Sequence, residues 1–270
     1  MNPEEYGRMH ELETHYWWFV GRRAIIRQQL QEVRSADLAG KPLELLDIGC
    51  GTGANLPMLA EVAGPDGFVT ALDYSPLALQ FAAHELSKQG EENRSITLLR
   101  GDATHLPFAD NQFDVVTMLD VLEHVEDDLA AVREIHRVLK PGGAFVLSVP
   151  AYQSLWSAHD EALHHFRRYE YSGLQNVLRE GGMQTWHISF AMSVMPPIAW
   201  FWRRFILPFK PRRSRDASRH SEGAVLPAVP HFANRLLIKY LEAEGAIIRK
   251  RPLKFGTSLV VTARKYGKNE

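Results

Sequence analysis

Short apolar runs alternate along the chain with longer segments in which apolar residues recur every three or four positions. In the first 150 residues the apolar runs lie at 43–48, 67–73, 96–100, 113–119 and 144–149. Helical patterns lie between them, for example at 76–89 and 127–139. Strands that alternate with helices favour a parallel sheet covered on both faces, so the pattern predicts a doubly wound α/β fold.

Two further strands are predicted at 183–190 and 256–263, and we expect them to form an antiparallel edge of the same sheet. An insertion of about 60 residues separates them, where compact domains usually have short connections. Residues 4–34 have a helical pattern, and Lys140-Pro141-Gly142-Gly143 predicts a turn before the fifth strand. The pattern therefore divides the chain into four parts, which are an N-terminal helical segment (1–40), a core (41–190), an insertion with a helix (191–253) and a last strand that completes the core sheet (254–270).

A glycine-rich turn follows the first strand directly. Gly49, Gly51 and Gly53 stand at every second position, and a helical pattern begins after Asn55. A strand, a tight turn and a helix N-terminus form a site for a nucleotide-like ligand, and glycine lets the backbone pass close beneath it. The turn also satisfies the dinucleotide fingerprint, since Ala54 takes its last position, and so by itself it is compatible with a dehydrogenase.

Acidic residues end the next two strands. Asp73 lies 20 residues after Gly53, where an acid can hold ribose hydroxyls, and Asp102 follows the third strand in Gly101-Asp102-Ala103. The fourth strand leads into Asp120-Val121-Leu122-Glu123-His124, and a Lys-Pro-Gly-Gly sequence precedes the fifth. Taken in order over residues 43–150, these motifs resemble those of class I S-adenosylmethionine-dependent methyltransferases, in the group related to quinone-biosynthesis methyltransferases.

The resemblance implies a Rossmann-like sheet of seven strands with an antiparallel last strand, and S-adenosylmethionine as the cofactor. It also implies that the carboxylate of Asp102 and the N–H of Ala103 hold the adenine. The cofactor residues it predicts are Asp47, Gly49, Gly51, Gly53, Asn55, Asp73, Tyr74, Asp102, Ala103 and Leu119. In several relatives N-terminal helices close the site, so residues 1–40 are a predicted lid.

Methyl transfer to a hydroxyl needs a base, and histidine is the commonest one. His124 comes just after the fourth strand, where related O-methyltransferases direct groups at the cofactor, and His164 and His165 belong to a loop after the fifth. These three histidines are the candidate catalytic residues. The alternatives are a structural hydrogen bond for His124 and a solvated basic loop for residues 164–168.

Aromatic and basic residues are the candidates for contact with the methyl acceptor. Aromatic faces attract a sulfonium cation, and arginines can clamp a carboxylate or phosphate. The predicted acceptor contacts are Tyr16, Trp17, Trp18, Arg22, Tyr152, Arg167, Arg168 and Tyr169. The alternative for the N-terminal aromatic residues is that they pack on the edge of the sheet.

Composition narrows the class of protein. The net charge is −1, so no overall field recruits nucleic acid, and the single cysteine, Cys50, excludes an internal disulfide and fits a reducing cytosol. No secretory segment and no run of 18 apolar residues occurs, so we expect a cytoplasmic protein without an ordinary membrane span. No metal site is predicted, because His159-Asp160 and His164-His165 are neighbours of a kind common in loops.

The insertion combines tryptophan and phenylalanine with a basic run at residues 195–215. This combination favours peripheral contact with the inner membrane face or with a lipid-linked substrate. The alternatives are a substrate lid, a dimer patch and RNA binding, although no RNA-binding module is recognisable.

The function predicted from these features is methyl transfer, directed to oxygen, on a small-molecule or lipid-linked acceptor. The Asn/Asp-Pro-Pro-Tyr/Phe signature of methyltransferases that act on exocyclic or amide nitrogen is missing, since Leu119-Asp120-Val121-Leu122 takes its place. The alternatives are an NAD-type oxidoreductase and a non-catalytic cofactor-binding module at a membrane surface.

Overall fold

The computed structural model describes residues 3–88, 95–194 and 229–266. Seven strands form one sheet in the order β3-β2-β1-β4-β5-β7-β6. They are β1 (Glu44–Ile48), β2 (Phe68–Asp73), β3 (Ile96–Arg100), β4 (Phe113–Leu119), β5 (Leu139–Pro150), β6 (Gln184–Ala191) and β7 (Ser258–Arg264). The first five pair in parallel, and β7 pairs antiparallel with both β5 and β6. The predicted fold class is confirmed.

The helices of the described residues lie on both faces of this sheet. They are α1 (Pro3–Glu13), α2 (Trp17–Asp37), α3 (Leu56–Ala63), α4 (Pro76–Lys88), α5 (Asp128–Val138), α6 (Ala158–Ala162), α7 (Tyr171–Glu180) and α8 (His231–Lys250). Single 3₁₀ turns lie at Leu122–His124 and Gln153–Leu155.

Two hydrophobic clusters form the core, one on each face of the sheet. Leu45 and Val115 point into the cluster formed with α2, α3 and α8, whereas their neighbours Leu46 and Val116 point into the cluster formed with α5 and α7. Successive side chains of a strand face opposite sides, so a sheet that is covered twice needs uninterrupted apolar strands. This requirement explains the unbroken apolar runs in the sequence.

The N-terminal helical pattern is divided into α1 and α2 by a break at residues 14–16. Asn234 of α8 holds this break, because its Oδ1 accepts a hydrogen bond from the Trp17 N–H (2.8 Å) and its Nδ2 donates to the carbonyl oxygen of His15 (2.8 Å). The break therefore depends on a residue more than 200 positions away. The predicted helical character of residues 4–34 is confirmed, and the position of the break is decided by this contact with α8.

The turn predicted at residues 140–143 is instead part of β5, which begins at Leu139. Gly142 has φ +79° and its N–H donates to the carbonyl oxygen of Lys265 (2.7 Å), while the Lys265 N–H donates to the carbonyl oxygen of Gly143 (3.1 Å). The ladder to β4 shifts register between its Phe113–Leu139 and Val115–Ala144 pairs. Hydrogen bonds from the far end of the chain thus keep the glycine pair within the sheet.

Helix α8 packs closely along α2 through a glycine on each helix. A Cβ atom on Gly21 would lie 2.2 Å from Cδ1 of Leu241, and one on Gly245 would lie 3.1 Å from the Cα of Ile25. The C-terminal part of the predicted insertion is therefore joined to the N-terminal helices. The predicted membrane contact at 195–215 lies outside the described residues. Within those residues, the helices fall short of the length and apolar character that a membrane span requires.

Candidate active site

The glycine turn lies at the carboxyl end of β1 and has the backbone conformation that only glycine adopts readily. Gly49, Gly51 and Gly53 have φ values of +75°, +57° and +87°. A Cβ atom on Gly49 would lie 2.3 Å from Cγ2 of Val121, so the turn packs directly against the loop that follows β4. The cofactor end of β1 and the residues after β4 therefore belong to one site.

Asp73 connects the turn to the end of β2. Its Oδ2 accepts a hydrogen bond from the Gly51 N–H (2.9 Å), and its Oδ1 accepts one from the Ser75 N–H (2.8 Å). Burial raises the pKa of Asp73, which these backbone donors partly oppose. Each carboxylate oxygen retains a further lone pair, so the group can still accept hydrogen bonds from a ligand.

Asp47 lies beneath the turn and is fully buried. Its Oδ1 accepts a hydrogen bond from Oγ1 of Thr117 (2.6 Å), and its Oδ2 has no partner within the described part of the chain. Burial raises the pKa of Asp47 to about 7, against the opposing effect of the Thr117 hydrogen bond. A buried acceptor without a donor next to a glycine turn fits a ligand that brings a cationic donor, as the ammonium group of S-adenosylmethionine does.

We expect Asp47→Asn to remove part of the pH dependence of stability. The folded-state pKa of this acid is raised, so its stabilising contribution is complete below about pH 4 and is lost as the pH rises through about 7. The variant should gain stability relative to the parent across that window, by at most about 1.4 kcal/mol per pH unit. Denaturant unfolding at several pH values measures this difference, and a gap that stays constant with pH would contradict the expectation.

The other predicted cofactor residues lie at or just after the carboxyl ends of β1 to β4. Asp102 is exposed and its Oδ1 accepts hydrogen bonds from the N–H and Oγ1 of Thr104 (both 2.8 Å), while Tyr74 is 69% exposed. Ala103 and Leu119 are almost buried, and Oδ1 of Asn55 accepts a hydrogen bond from Nε of Arg23 (3.2 Å). The residues present fit S-adenosylmethionine, and the role of each stays a prediction.

Helix α1 lies over the glycine turn. Cε of Met9 is the nearest atom to a Cβ built on Gly51, at 3.8 Å. Glu13 is buried and accepts a hydrogen bond from the Thr52 hydroxyl, and Tyr6 interacts with Ser75 beside Asp73. This placement is compatible with the predicted lid, whose opening and closing stay a prediction.

A cluster of three titratable side chains is formed by Glu123 and His124, which follow β4, and His165, which follows β5. Glu123 is 1% exposed and its Oε2 has no hydrogen-bond partner within the described residues. The rings of His124 and His165 are 4.6 Å apart and nearly perpendicular (84°). Burial raises the pKa of Glu123 to about 8 and, with a contribution from His165, lowers that of His124 to about 4.

Asp160 of α6 contacts the cluster through His165 and also pairs with Arg168. It is fully buried, and its Oδ1 lies 2.9 Å from Nδ1 of His165 and 2.7 Å from Nε of Arg168. Burial opposes its ionisation, but hydrogen bonds from Arg168 and His165 outweigh this effect and lower the pKa of Asp160. The loop after β5 is therefore held by a buried ion pair.

Arg22 of α2 also lies near Glu123. Its guanidinium forms an ion pair with Asp120 and lies over the ring of Trp18, 4.4 Å from the centroid. Burial lowers the pKa of Arg22 to about 10, an effect that the nearby charge of Glu123 partly opposes. The predicted residues Trp18 and Arg22 thus lie beside the Glu123 cluster.

The remaining predicted acceptor contacts have partners inside the protein. Tyr16 and Trp17 are buried in the hydrophobic cluster that includes α8. Tyr152 stacks on Phe190 (5.1 Å between centroids). Arg167 pairs with Asp128 (2.8 Å), whose carboxylate also accepts a hydrogen bond from the hydroxyl of Tyr169 (2.8 Å). Because these groups are already paired or packed, their contact with an acceptor stays a prediction.

Sequence reasoning missed three carboxylates of this site, namely Asp120, Glu123 and Asp160. Glu123 is adjacent to His124 in a motif that the sequence singles out, and that adjacency was the available signal. Nothing in the local sequence indicates that Asp160 approaches His165 and Arg168. The structure also separates the two adjacent candidates, since the side chain of His165 is in the cluster and that of His164 is exposed.

A sheet in this order, with a glycine turn after β1 and acids after β2 and β3, defines a nucleotide-binding α/β domain. Residues 46–147 match the family described as "Methyltransferase domain". The chain is 35% identical over 153 residues to the demethylmenaquinone methyltransferase of Listeria monocytogenes (strain HCC23), an alignment that covers 52% of this chain and 64% of the relative. It thus spans less than two thirds of that relative's length.

Solved structures share the fold at low sequence identity. A chain of the complex between the Haloferax volcanii Trm112 methyltransferase activator and a methyltransferase has a TM-score of 0.61 and 18% identity, with 99% of this chain and 96% of that chain covered. A SAM-dependent methyltransferase from Aquifex aeolicus has a TM-score of 0.54 and 18% identity, with coverage of 70% and 93%.

The chain contains a class I S-adenosylmethionine-dependent methyltransferase domain. The predicted family is confirmed, as is S-adenosylmethionine as the methyl donor of this domain, in preference to the NAD-type alternative.

Proposed function

We propose that the protein transfers a methyl group from S-adenosylmethionine to a small hydroxylated aromatic acceptor of the quinol type. The observation that carries the proposal is the partly buried cluster of Glu123, His124 and His165 after β4 and β5, which contains a carboxylate oxygen without a partner in the described chain. The cluster lies next to the glycine turn, because Val121 packs on Gly49. An acceptor placed there lies between proton-accepting groups and the cofactor.

The cofactor supplies an electrophilic methyl carbon on a sulfonium centre. The residues around the crevice bind and orient it: Asp73 accepts hydrogen bonds from ribose hydroxyls, Asp102 and Ala103 hold the adenine, and Asp47 accepts from the ammonium group. Helix α1 excludes water from above the turn. Alignment of the acceptor lone pair with the methyl carbon is the main source of rate, worth roughly 7–11 kcal/mol.

The proposal of a hydroxylated acceptor depends on removal of its hydroxyl proton. The hydroxyl proton passes to the Glu123 cluster, the oxygen becomes an anion, and its electron pair forms the bond to carbon as the carbon–sulfur bond breaks. A phenolate can accept the methyl group at oxygen, or at the adjacent ring carbon, which then loses its own proton. The relatives named demethylmenaquinone methyltransferases support a quinol-type acceptor but do not favour oxygen. Transfer to oxygen therefore stays a prediction.

Two measurements on the full chain test this function. Isothermal titration with S-adenosylmethionine and with NAD should show binding of the first alone. Turnover with methyl-labelled cofactor should then depend on a hydroxylated naphthalene or a catechol, and should be absent with an aliphatic amine of similar size. Nuclear magnetic resonance of the product distinguishes oxygen from carbon as the acceptor atom. Preference for NAD, or turnover with the amine alone, would overturn the proposal.

A further inference from the structure

The cluster of Glu123, His124 and His165 has the composition of a metal site. Glu123, His124 and His165 each offer one ligand atom, and these atoms all lie within 4.8 Å of one another. Two histidines and a carboxylate are the protein ligands of several catalytic metal sites, which keep further positions open for water or substrate. We propose that Glu123, His124 and His165 bind a divalent transition-metal cation, with Zn²⁺ as the reference ion.

His165 is held by an outer partner through one ring nitrogen. Nδ1 of His165 lies 2.9 Å from Oδ1 of Asp160, which leaves Nε2 as the nitrogen for a cation. Metal-binding histidines typically donate their second N–H to a carboxylate or a backbone carbonyl, which orients the ring. His165 therefore has the outer support expected of a ligand, and the ring of His124 packs nearly perpendicular to it, with the centroids 4.6 Å apart.

The third ligand is a buried carboxylate whose bonding capacity is not used. Oε2 of Glu123 has no hydrogen-bond partner in the described residues, although the residue is 1% exposed. Buried polar atoms in native proteins nearly always have a partner, so an orphaned oxygen needs an explanation. A cation coordinated by this oxygen supplies one.

The charges around the cluster leave room for a cation. Three carboxylates, from Asp120, Glu123 and Asp160, face two guanidinium groups, from Arg22 and Arg168. Once a cation displaces the proton of Glu123, and with both histidines neutral, the charged side chains sum to one negative charge before the cation is counted.

The ligand set selects the class of metal. Imidazole nitrogen suits zinc, iron, nickel and copper, whereas calcium and magnesium prefer oxygen ligands. If the proposed function is correct, an open coordination position would take the acceptor hydroxyl and lower its pKa, as metals do for bound water. The binding site itself stands on the geometry of the cluster, independently of that function.

The test is metal binding to the full chain after treatment with a chelator, without cofactor or acceptor. Titration with Zn²⁺ should give one saturable site, and Co²⁺ should give the visible absorption of a site with nitrogen ligands. Mg²⁺ at the same concentration should not saturate the site. Glu123→Gln and His165→Asn should each weaken Zn²⁺ binding at least about tenfold, the smallest effect typical of changes around metal sites.

His164→Asn is the matched control. The side chain of His164 is exposed and its φ is +59°, a conformation that asparagine tolerates, so the backbone beside His165 should keep its conformation. This variant should bind Zn²⁺ like the parent. Thermal unfolding of each variant without metal identifies any that fail to fold, and binding is compared among folded variants.

Absence of a saturable Zn²⁺ site in the folded parent would overturn the proposal. So would loss of binding in His164→Asn with retention in His165→Asn, because the assigned ligands would then be wrong. The outcomes for the proposed function are separate. Turnover that persists in chelator would show that a bound metal takes no part in methyl transfer and would leave the methyltransferase proposal intact. Metal binding without turnover on any acceptor would support the metal site and contradict the proposed function.

Discussion

Glu123→Gln is expected to lower the kcat of methyl transfer by about 10²–10⁴-fold, the range over which a positioned proton acceptor contributes. Glutamine has nearly the same shape as glutamate, so packing in this buried position is retained. It cannot take a proton from the acceptor hydroxyl, and it is a weaker ligand for a cation. Lower kcat is therefore expected whether Glu123 accepts the proton or binds a cation. The zinc titration described above distinguishes these two roles.

The affinity for S-adenosylmethionine should change little in Glu123→Gln, since the residue lies after β4 and away from the acids that end β2 and β3. Glu126→Gln is the matched control, because this glutamate is three residues further along and its side chain is exposed. Initial rates at saturating cofactor measure kcat, and titration measures cofactor affinity. Together they distinguish a loss of catalysis from a loss of cofactor binding. A kcat within a factor of a few of the parent would show that the cluster takes no part in the reaction.

Asp73→Ala is expected to weaken S-adenosylmethionine binding about 100-fold. Hydrogen bonds to a charged group contribute roughly 1.5–3 kcal/mol each, so the loss of two ribose contacts amounts to about 3 kcal/mol, or two powers of ten in affinity. The substitution also releases the Gly51 N–H, which Oδ2 of Asp73 holds at 2.9 Å. Loss of the ribose contacts and release of the Gly51 N–H should both lower the affinity for S-adenosylmethionine.

Asp66→Ala provides the control for Asp73→Ala. Asp66 is an exposed acid in the turn before β2, and its replacement should leave cofactor affinity unchanged. Isothermal titration measures both variants, with thermal unfolding as a check that each is folded. Equal affinities of Asp73→Ala and the parent would mean that the ribose lies elsewhere, and the proposed cofactor site would then be wrong.

Local sequence predicted the glycine turn and the acids of the proposed cofactor site because these parts are close to their strands in the chain. The glycine turn directly follows the strand that positions it, and Asp73 and Asp102 directly follow theirs. A parallel sheet brings the carboxyl ends of its strands to one edge, so the fold class by itself gathers these groups. The strand prediction at 113–119 matches β4 for the same reason, since a buried strand is an apolar run.

The acceptor side of the site was predicted only in outline. His124, His165 and Arg22 were recognised as candidate residues, but their partners are distant in sequence: Arg22 pairs with Asp120, and His124 packs on His165. Tyr16 and Trp17 were predicted to contact the acceptor from their aromatic character, which serves a hydrophobic core equally well. Only the packing of α8 on α2 determines that they are buried.

By itself the sequence determined the doubly wound sheet, the glycine turn and the acids that follow its strands, because strand periodicity and turn chemistry are local properties of the chain. Tertiary structure alone decided which titratable groups meet: Asp160 with His165 and Arg168, Glu123 with the two histidines, and Asn234 with the break between α1 and α2. The physical reason is that burial and charge pairing depend on distances in space, which loops of irregular conformation set.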